Sequence, residues 1–90
     1  MIVRTLKAIV TGRVQGVFFR AATKQAAITQ GISGYAKNLA TGEVEVEATG
    51  QESQLKAFIE YLKQGPAQAQ VDDVVWDYIQ AKSFEGFSIK

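Results

Sequence analysis

Gly12-Arg13-Val14-Gln15-Gly16-Val17-Phe18-Phe19-Arg20 joins an apolar, strand-like run, Leu6 to Val10, to an Ala-rich helical run, Ala21 to Gln30. A glycine-containing turn that feeds a helix leaves several backbone N–H groups without partners, all beside the positive end of the helix dipole. Gln15 to Arg20 contains no proline, so every residue there offers its N–H. Gly16 allows a tight backbone and a close ligand approach. Consecutive N–H groups that converge in this way form an anion nest. Arg20 breaks the local pattern, because a cation in the first helical turn is disfavoured by about 0.3–1 kcal/mol. A bound anion would reverse that penalty and give the guanidinium a bidentate partner. Alone, Arg20 would read as a solvated cation at a frayed helix end. With the glycine turn in front of it, the stretch reads as an anion site.

Working outward, residues 3–11 form a strand with Leu6, Ala8 and Val10 on one face and Thr5, Lys7 and Ile9 on the other. Residues 20–30 favour helix, and Gly31 is placed to end it. Phe19, Ala22, Ala26 and Thr23 recur at helical spacing as a slim apolar stripe. Residues 32–38 read as a second strand, followed by a turn at Leu39-Ala40-Thr41-Gly42. Residues 43–49 alternate strictly, with Val44, Val46 and Ala48 on one side and Glu43, Glu45 and Glu47 on the other. That period of two makes the glutamates a solvated face rather than a metal or acid cluster. Residues 52–64 form the strongest helix, with Leu55, Phe58, Ile59 and Leu62 on one stripe and Gly65-Pro66 as its stop. Residues 71–81 are a further strand, with Val74, Trp76 and Tyr78 on one face, and Phe84 to Ile89 is placed to add a short last one.

The order β-α-β-β-α-β predicts an α+β, ferredoxin-like sandwich. Its mostly antiparallel sheet has four strands, with room for a short fifth, and two helices cover one face because the crossovers are right-handed. Ninety residues make a single domain, 1–90. The chain has no cysteine and no histidine. This excludes disulfides, thiolate nucleophiles, Ser-His-Asp chemistry and His- or Cys-ligated metals. A formal net charge of +1 argues against a dedicated nucleic-acid or anionic-membrane binder. No apolar run is long enough to span a bilayer, and the charged start Met1 to Lys7 has no signal-peptide block. A cytoplasmic protein working as a monomer is expected.

The first stretch closely resembles the first signature of the acylphosphatases. Gly34-Tyr35-Ala36-Lys37-Asn38 with Gly42-Glu43-Val44-Glu45 is similar to their second. The helix end Leu62-Lys63-Gln64-Gly65-Pro66 and the closing Phe84…Phe87-Ser88-Ile89 are similar too, so the likeness runs over essentially the whole chain. Thr41 stands where the family commonly has Asp, and Gln70 where a basic residue often stands; neither position touches the chemistry. The resemblance implies hydrolysis of acyl phosphates to a carboxylate and inorganic phosphate, with no metal and no cofactor. It carries phosphate binding onto Arg20 and placement of the attacking water onto Asn38. The loop N–H groups of Gln15, Gly16, Val17, Phe18 and Phe19, joined by Arg20, are expected to hold the phosphate oxygens. The expected partners are a small acyl phosphate and inorganic phosphate, with no nucleic acid and no membrane.

Four rivals stand beside this reading. Asn38 also fits an Asx turn ending its strand, and Gly12 and Gly16 also fit plain turn positions. RNA-recognition modules share the β-α-β-β-α-β order, but their third strand carries stacking aromatics where this one carries glutamates. A non-catalytic anion-binding regulatory module would use the same loop without turnover. Nucleotide-binding loops are a poor match, since residues 12–20 fit neither GxxxxGK[ST] nor GxGxxG.

Overall fold

The computed structural model describes residues 2–90. Its elements run β1 (Val3–Arg13), α1 (Phe19–Gln30), β2 (Ser33–Asn38), β3 (Val44–Gln51), α2 (Glu52–Gln64), β4 (Gln70–Ile79) and β5 (Phe87–Ile89). They build one sheet in the order β4-β1-β3-β2-β5. Neighbours are antiparallel except β2 and β5, which run parallel. The fifth strand is thus real and lies at the sheet edge. No helix among the described residues is long and apolar enough to cross a membrane.

Alternation explains the core. Leu6, Ala8 and Val10 of β1 and Val44, Val46 and Ala48 of β3 are fully buried and pair across the ladder, Ala8 opposite Val46 and Leu6 opposite Ala48. The stripe of α2, Leu55, Phe58, Ile59 and Leu62, closes over them as its spacing requires. Phe58 meets Phe87 of β5 edge to face at 6.1 Å. The Gln51 N–H donates to Gln54 Oε1 at 3.0 Å, which satisfies one donor at the start of α2. Gly31 ends α1 with φ 73° and an N–H bonded back to the last turn.

Two expectations need correction. The buried stripe of α1 is Phe19, Thr23 and Ala27, four residues apart. Ala22 and Ala26 stand to one side, lining a groove towards Tyr61 of α2. The helix rests on the sheet and on its neighbour at once, so its apolar arc is shared between two contacts.

The glutamate face of β3 is partly covered rather than solvated. The segment 80–86 between β4 and β5 runs back across the helix-free face. Its Lys82 N–H donates to Thr5 Oγ1 at 2.9 Å, and its Lys82 carbonyl accepts from Thr49 Oγ1 at 2.8 Å. Glu47 is buried and paired with Lys82 Nζ at 2.8 Å. Glu45 accepts from the Tyr35 hydroxyl at 2.8 Å and pairs with Lys7 at 3.2 Å. Glu43 accepts from the hydroxyls of Thr11 and Thr41. A period of two assigns residues to a face; what covers that face is decided by chain far away in sequence.

Candidate active site

The loop that opened the sequence reading begins inside a strand. β1 continues through Gly12 and Arg13, but its register with β4 slips between Thr11, opposite Asp73, and Gly12, opposite Val71. Asp72 is the extra residue of this β-bulge, which bends the strand end. Gly12 has φ 128°, and a Cβ there would collide with the Gln70 carbonyl and approach the Asp72 nitrogen to 2.7 Å. Gly12 is therefore required by a close backbone pass rather than by a turn. Val14 is buried and pegs the start of the loop.

Residues 15–18 then form an open bend. No main-chain hydrogen bond to a described residue uses the N–H of Gln15, Gly16, Val17, Phe18, Phe19, Arg20 or Ala21. Gly16 takes φ 72° with open space around it, so only the dihedral calls for glycine. Phe18, the residue before α1, takes the left-handed conformation at φ 60°, ψ 20°. That is an outlier for a bulky side chain, with a cost of about 1–3 kcal/mol that a functional loop can carry. No side chain caps α1 and no acidic residue stands in its first turn. A helix start with free donors, no cap and a cation has the features that favour an external anion.

Arg20 is the second residue of α1. Its Nη1 donates to the Lys90 main-chain oxygen at 2.6 Å. Lys90 is itself anchored to β2, its N–H donating to the Ala36 carbonyl at 2.8 Å and its ammonium sitting 4.4 Å from the Tyr35 ring centre. One prong of the guanidinium is thereby fixed and the rest of the fork stays available. Arg20, Gly16, Phe18 and Ile89 line a cavity of about 290 Å³, with Val14, Phe19 and Ala21 completing it. This lies at the lower end of the ~300–1,000 Å³ usual for small-molecule sites.

Asn38 ends β2 and is half-buried. Its N–H donates to the same Lys90 oxygen, at 3.4 Å. Its Oδ1 is buried and has no hydrogen-bond partner among the described residues, so in this orientation it closes no Asx turn. The side chain of Gln15 supplies the link that sequence reasoning missed. Its Nε2 donates to the Leu39 carbonyl at 2.8 Å and to the Glu43 carbonyl at 2.9 Å. Those are the two carbonyls that the Leu39–Glu43 turn itself uses, through the N–H groups of Gly42 and Leu39. The anion loop and the turn after Asn38 are thus stitched together by one amide. An amide beside a glycine carries no local periodicity, so no sequence signal pointed to this role.

The sequence profile of the acylphosphatase family matches residues 6–89. An acylphosphatase of Vibrio parahaemolyticus is 43% identical over 99% of both chains. Among solved structures, an acylphosphatase from Coxiella burnetii superposes with a TM-score of 0.94 at 34% identity, covering 98% of this chain and 93% of that one. The crystal structure of acylphosphatase from Bacillus subtilis gives 0.93 at 33% identity, with 99% of each chain covered.

Proposed function

The chain belongs to the acylphosphatase family, and on that premise we propose that its catalytic centre is the N–H cup of residues 15–20, with Arg20 holding phosphate and Asn38 placing water. The reaction is hydrolysis of an acyl phosphate to a carboxylate and inorganic phosphate. One observation carries the residue assignment: a run of unbonded loop N–H groups lies beside a guanidinium tethered through a single prong.

The chemistry asks for little more. An acyl phosphate is a mixed anhydride whose carboxylate leaves readily, so positioning and charge stabilisation can carry the phosphoryl transfer. The N–H groups of Gln15, Gly16, Val17, Phe18 and Phe19, with Arg20, surround the phosphoryl oxygens as charge redistributes. Water attacks phosphorus, the bond from phosphorus to the acyl oxygen breaks, and its electron pair leaves with the carboxylate. The water's proton passes to a phosphate oxygen of the substrate. Asn38 offers an uncharged acceptor for that water, where a carboxylate would repel the phosphate. As it stands, Oδ1 is buried; the two ends of the amide are near-isosteric, and a half-turn about χ2 exchanges the oxygen and the NH2.

The centre draws on residues 14–20, 38–43 and 89–90 of one chain, which supports a monomeric enzyme acting on a small substrate. Its place in the cytoplasm belongs to the same reading and rests on composition alone. Neither nucleic acid nor membrane enters it. The deciding assay uses benzoyl phosphate beside p-nitrophenyl phosphate, with excess chelator present. Undiminished cleavage of the first and none of the second is expected; loss of activity on chelation would overturn the metal-free mechanism.

A further inference from the structure

Residues 80–90 form one arm with a clamp at each end. At Lys82 the sheet grips main chain and side chain together. The Lys82 N–H donates to Thr5 Oγ1 at 2.9 Å, its carbonyl accepts from Thr49 Oγ1 at 2.8 Å, and its ammonium meets the buried Glu47 carboxylate at 2.8 Å. At Lys90 the main-chain oxygen takes the donors of Arg20 and Asn38. Between the clamps lies β5, three residues paired on one side only, to β2. Phe87 pegs it to the core, and the Gly34 N–H donates to the Gly86 carbonyl at 2.9 Å. A short edge strand with so few bonds is where local opening is cheapest. Tyr35 of β2 stands between the two ends of the arm. Phe84 meets its ring edge to face at 6.0 Å, and the Lys90 ammonium lies 4.4 Å from the ring centre. The Glu47–Lys82 pair is a poor source of net stability, because desolvation of the carboxylate offsets much of the attraction. What it does supply is direction, since it sets where the arm enters β5.

We infer that Lys82, paired with Glu47, is a positioning residue for catalysis, acting through the 80–90 arm to hold the Lys90 oxygen where Arg20 and Asn38 need it. This rests on the catalytic reading above and adds a control point on the other face of the sheet. Phe87 alone lets so short a strand pivot about its peg; the Lys82 clamp supplies the second fixed point. With that clamp open, the guanidinium that grips phosphate and the main chain that carries the water-placing amide lose their common acceptor.

The test opens the clamp without stranding a buried charge, by combining Glu47→Gln with Lys82→Met. Phe84→Ala and the conservative Lys82→Arg are made beside it. For each, kcat and KM for benzoyl phosphate, the inhibition constant of inorganic phosphate, and amide hydrogen exchange at Lys90 and at Phe58 of α2 are measured. The double variant should lower kcat about tenfold, short of the ~100-fold that a misplacement of about 1 Å can cost, and should weaken inhibition by phosphate as well. Exchange at Lys90 should quicken while Phe58 keeps its protection, which separates a loosened arm from a loosened fold. Phe84→Ala, outside the buried core, should act in the same direction, and Lys82→Arg should keep both constants near those of the wild type. Wild-type kcat and phosphate inhibition in the double variant and in Phe84→Ala overturn the inference, as does a loss of kcat that comes with equally faster exchange at Phe58. Should the double variant not fold, Phe84→Ala decides alone. If the wild type does not hydrolyse benzoyl phosphate, the catalytic reading fails and this inference with it; a wild type that turns over, with variants that match it, sinks the positioning inference alone.

Discussion

The guanidinium of Arg20 and the main chain of Asn38 converge on one acceptor. Arg20 Nη1 donates to the Lys90 oxygen over 2.6 Å, and the Asn38 N–H donates to the same atom over 3.4 Å. The start of α1 and the end of β2 are therefore held at a set separation by the strand that closes the sheet. On the proposed mechanism, that separation sets where Arg20 and Asn38 stand relative to the phosphate and the attacking water.

Arg20→Ala is expected to lower turnover of benzoyl phosphate by about 10²–10³-fold, the scale for losing one preorganised donor to a developing charge. Asn38→Ala should lower kcat while leaving inhibition by inorganic phosphate nearly unchanged, because it removes a contact to water and not to the anion. Wild-type rates in either variant would remove that residue from the centre.

Gln15→Leu removes both bonds from Nε2 while preserving the loop N–H at that position. The carbonyls of Leu39 and Glu43 each keep a backbone donor, so stability should fall by only about 1–2 kcal/mol in urea titrations. Turnover should drop more than stability suggests, because the turn that follows Asn38 loses its tie to the anion loop. An unchanged kcat would mean that the stitch is structural only.

Tyr35 and Glu45 set a pH response on the covered face. The hydrogen bond from Tyr35, with help from Lys7, holds the Glu45 carboxyl below its ordinary 4.5 against the opposing effect of burial. The Tyr35 phenol is pushed well above its ordinary 10.0, first by burial and then by its bond to Glu45. The carboxylate's contribution is fully present above about pH 4.5 and fades as pH falls through its lowered value. The phenol's contribution is fully present below about pH 10.0 and fades as pH climbs towards its raised value. Tyr35→Phe should cost about 1.5–3 kcal/mol at neutral pH, as for a hydrogen bond to a charged group. It should also flatten both limbs of the stability–pH curve, and the Glu45 carboxyl should titrate higher by NMR.

Gly12→Ala forces a Cβ into the main chain of β4 at a φ that alanine avoids. A loss of about 1–3 kcal/mol or more is expected from the dihedral alone. Gly16→Ala, at an open position, should cost less stability while still disturbing phosphate binding. Equal melting temperatures for the two variants would contradict the bulge argument.

Elements with their own periodicity were legible in one dimension. α2 runs Glu52–Gln64, as its apolar stripe demands, and β3 buries Val44, Val46 and Ala48 as alternation requires. The stripe of α1 was read half right: Phe19 and Thr23 are buried, but Ala22 and Ala26 were chosen over Ala27, because alanines on adjacent arcs do not mark which side a helix buries. Glu45 and Glu47 were read as solvated because a strand's pattern does not reveal what will be laid over it. Of the proposed centre, the loop and both polar residues were visible, while the Gln15 stitch and the Lys90 anchor were not.

The order of residues by itself determined the β-α-β-β-α-β succession, the family and the glycine-bearing loop ahead of α1, since each depends on short-range spacing and backbone chemistry. Only the tertiary structure decided that Lys90 would hold Arg20, that Gln15 would bind the turn beyond Asn38, and that Lys82 would bury Glu47. Those contacts join residues remote along the chain. Their formation depends on how the sheet orders its strands, and no local pattern encodes that.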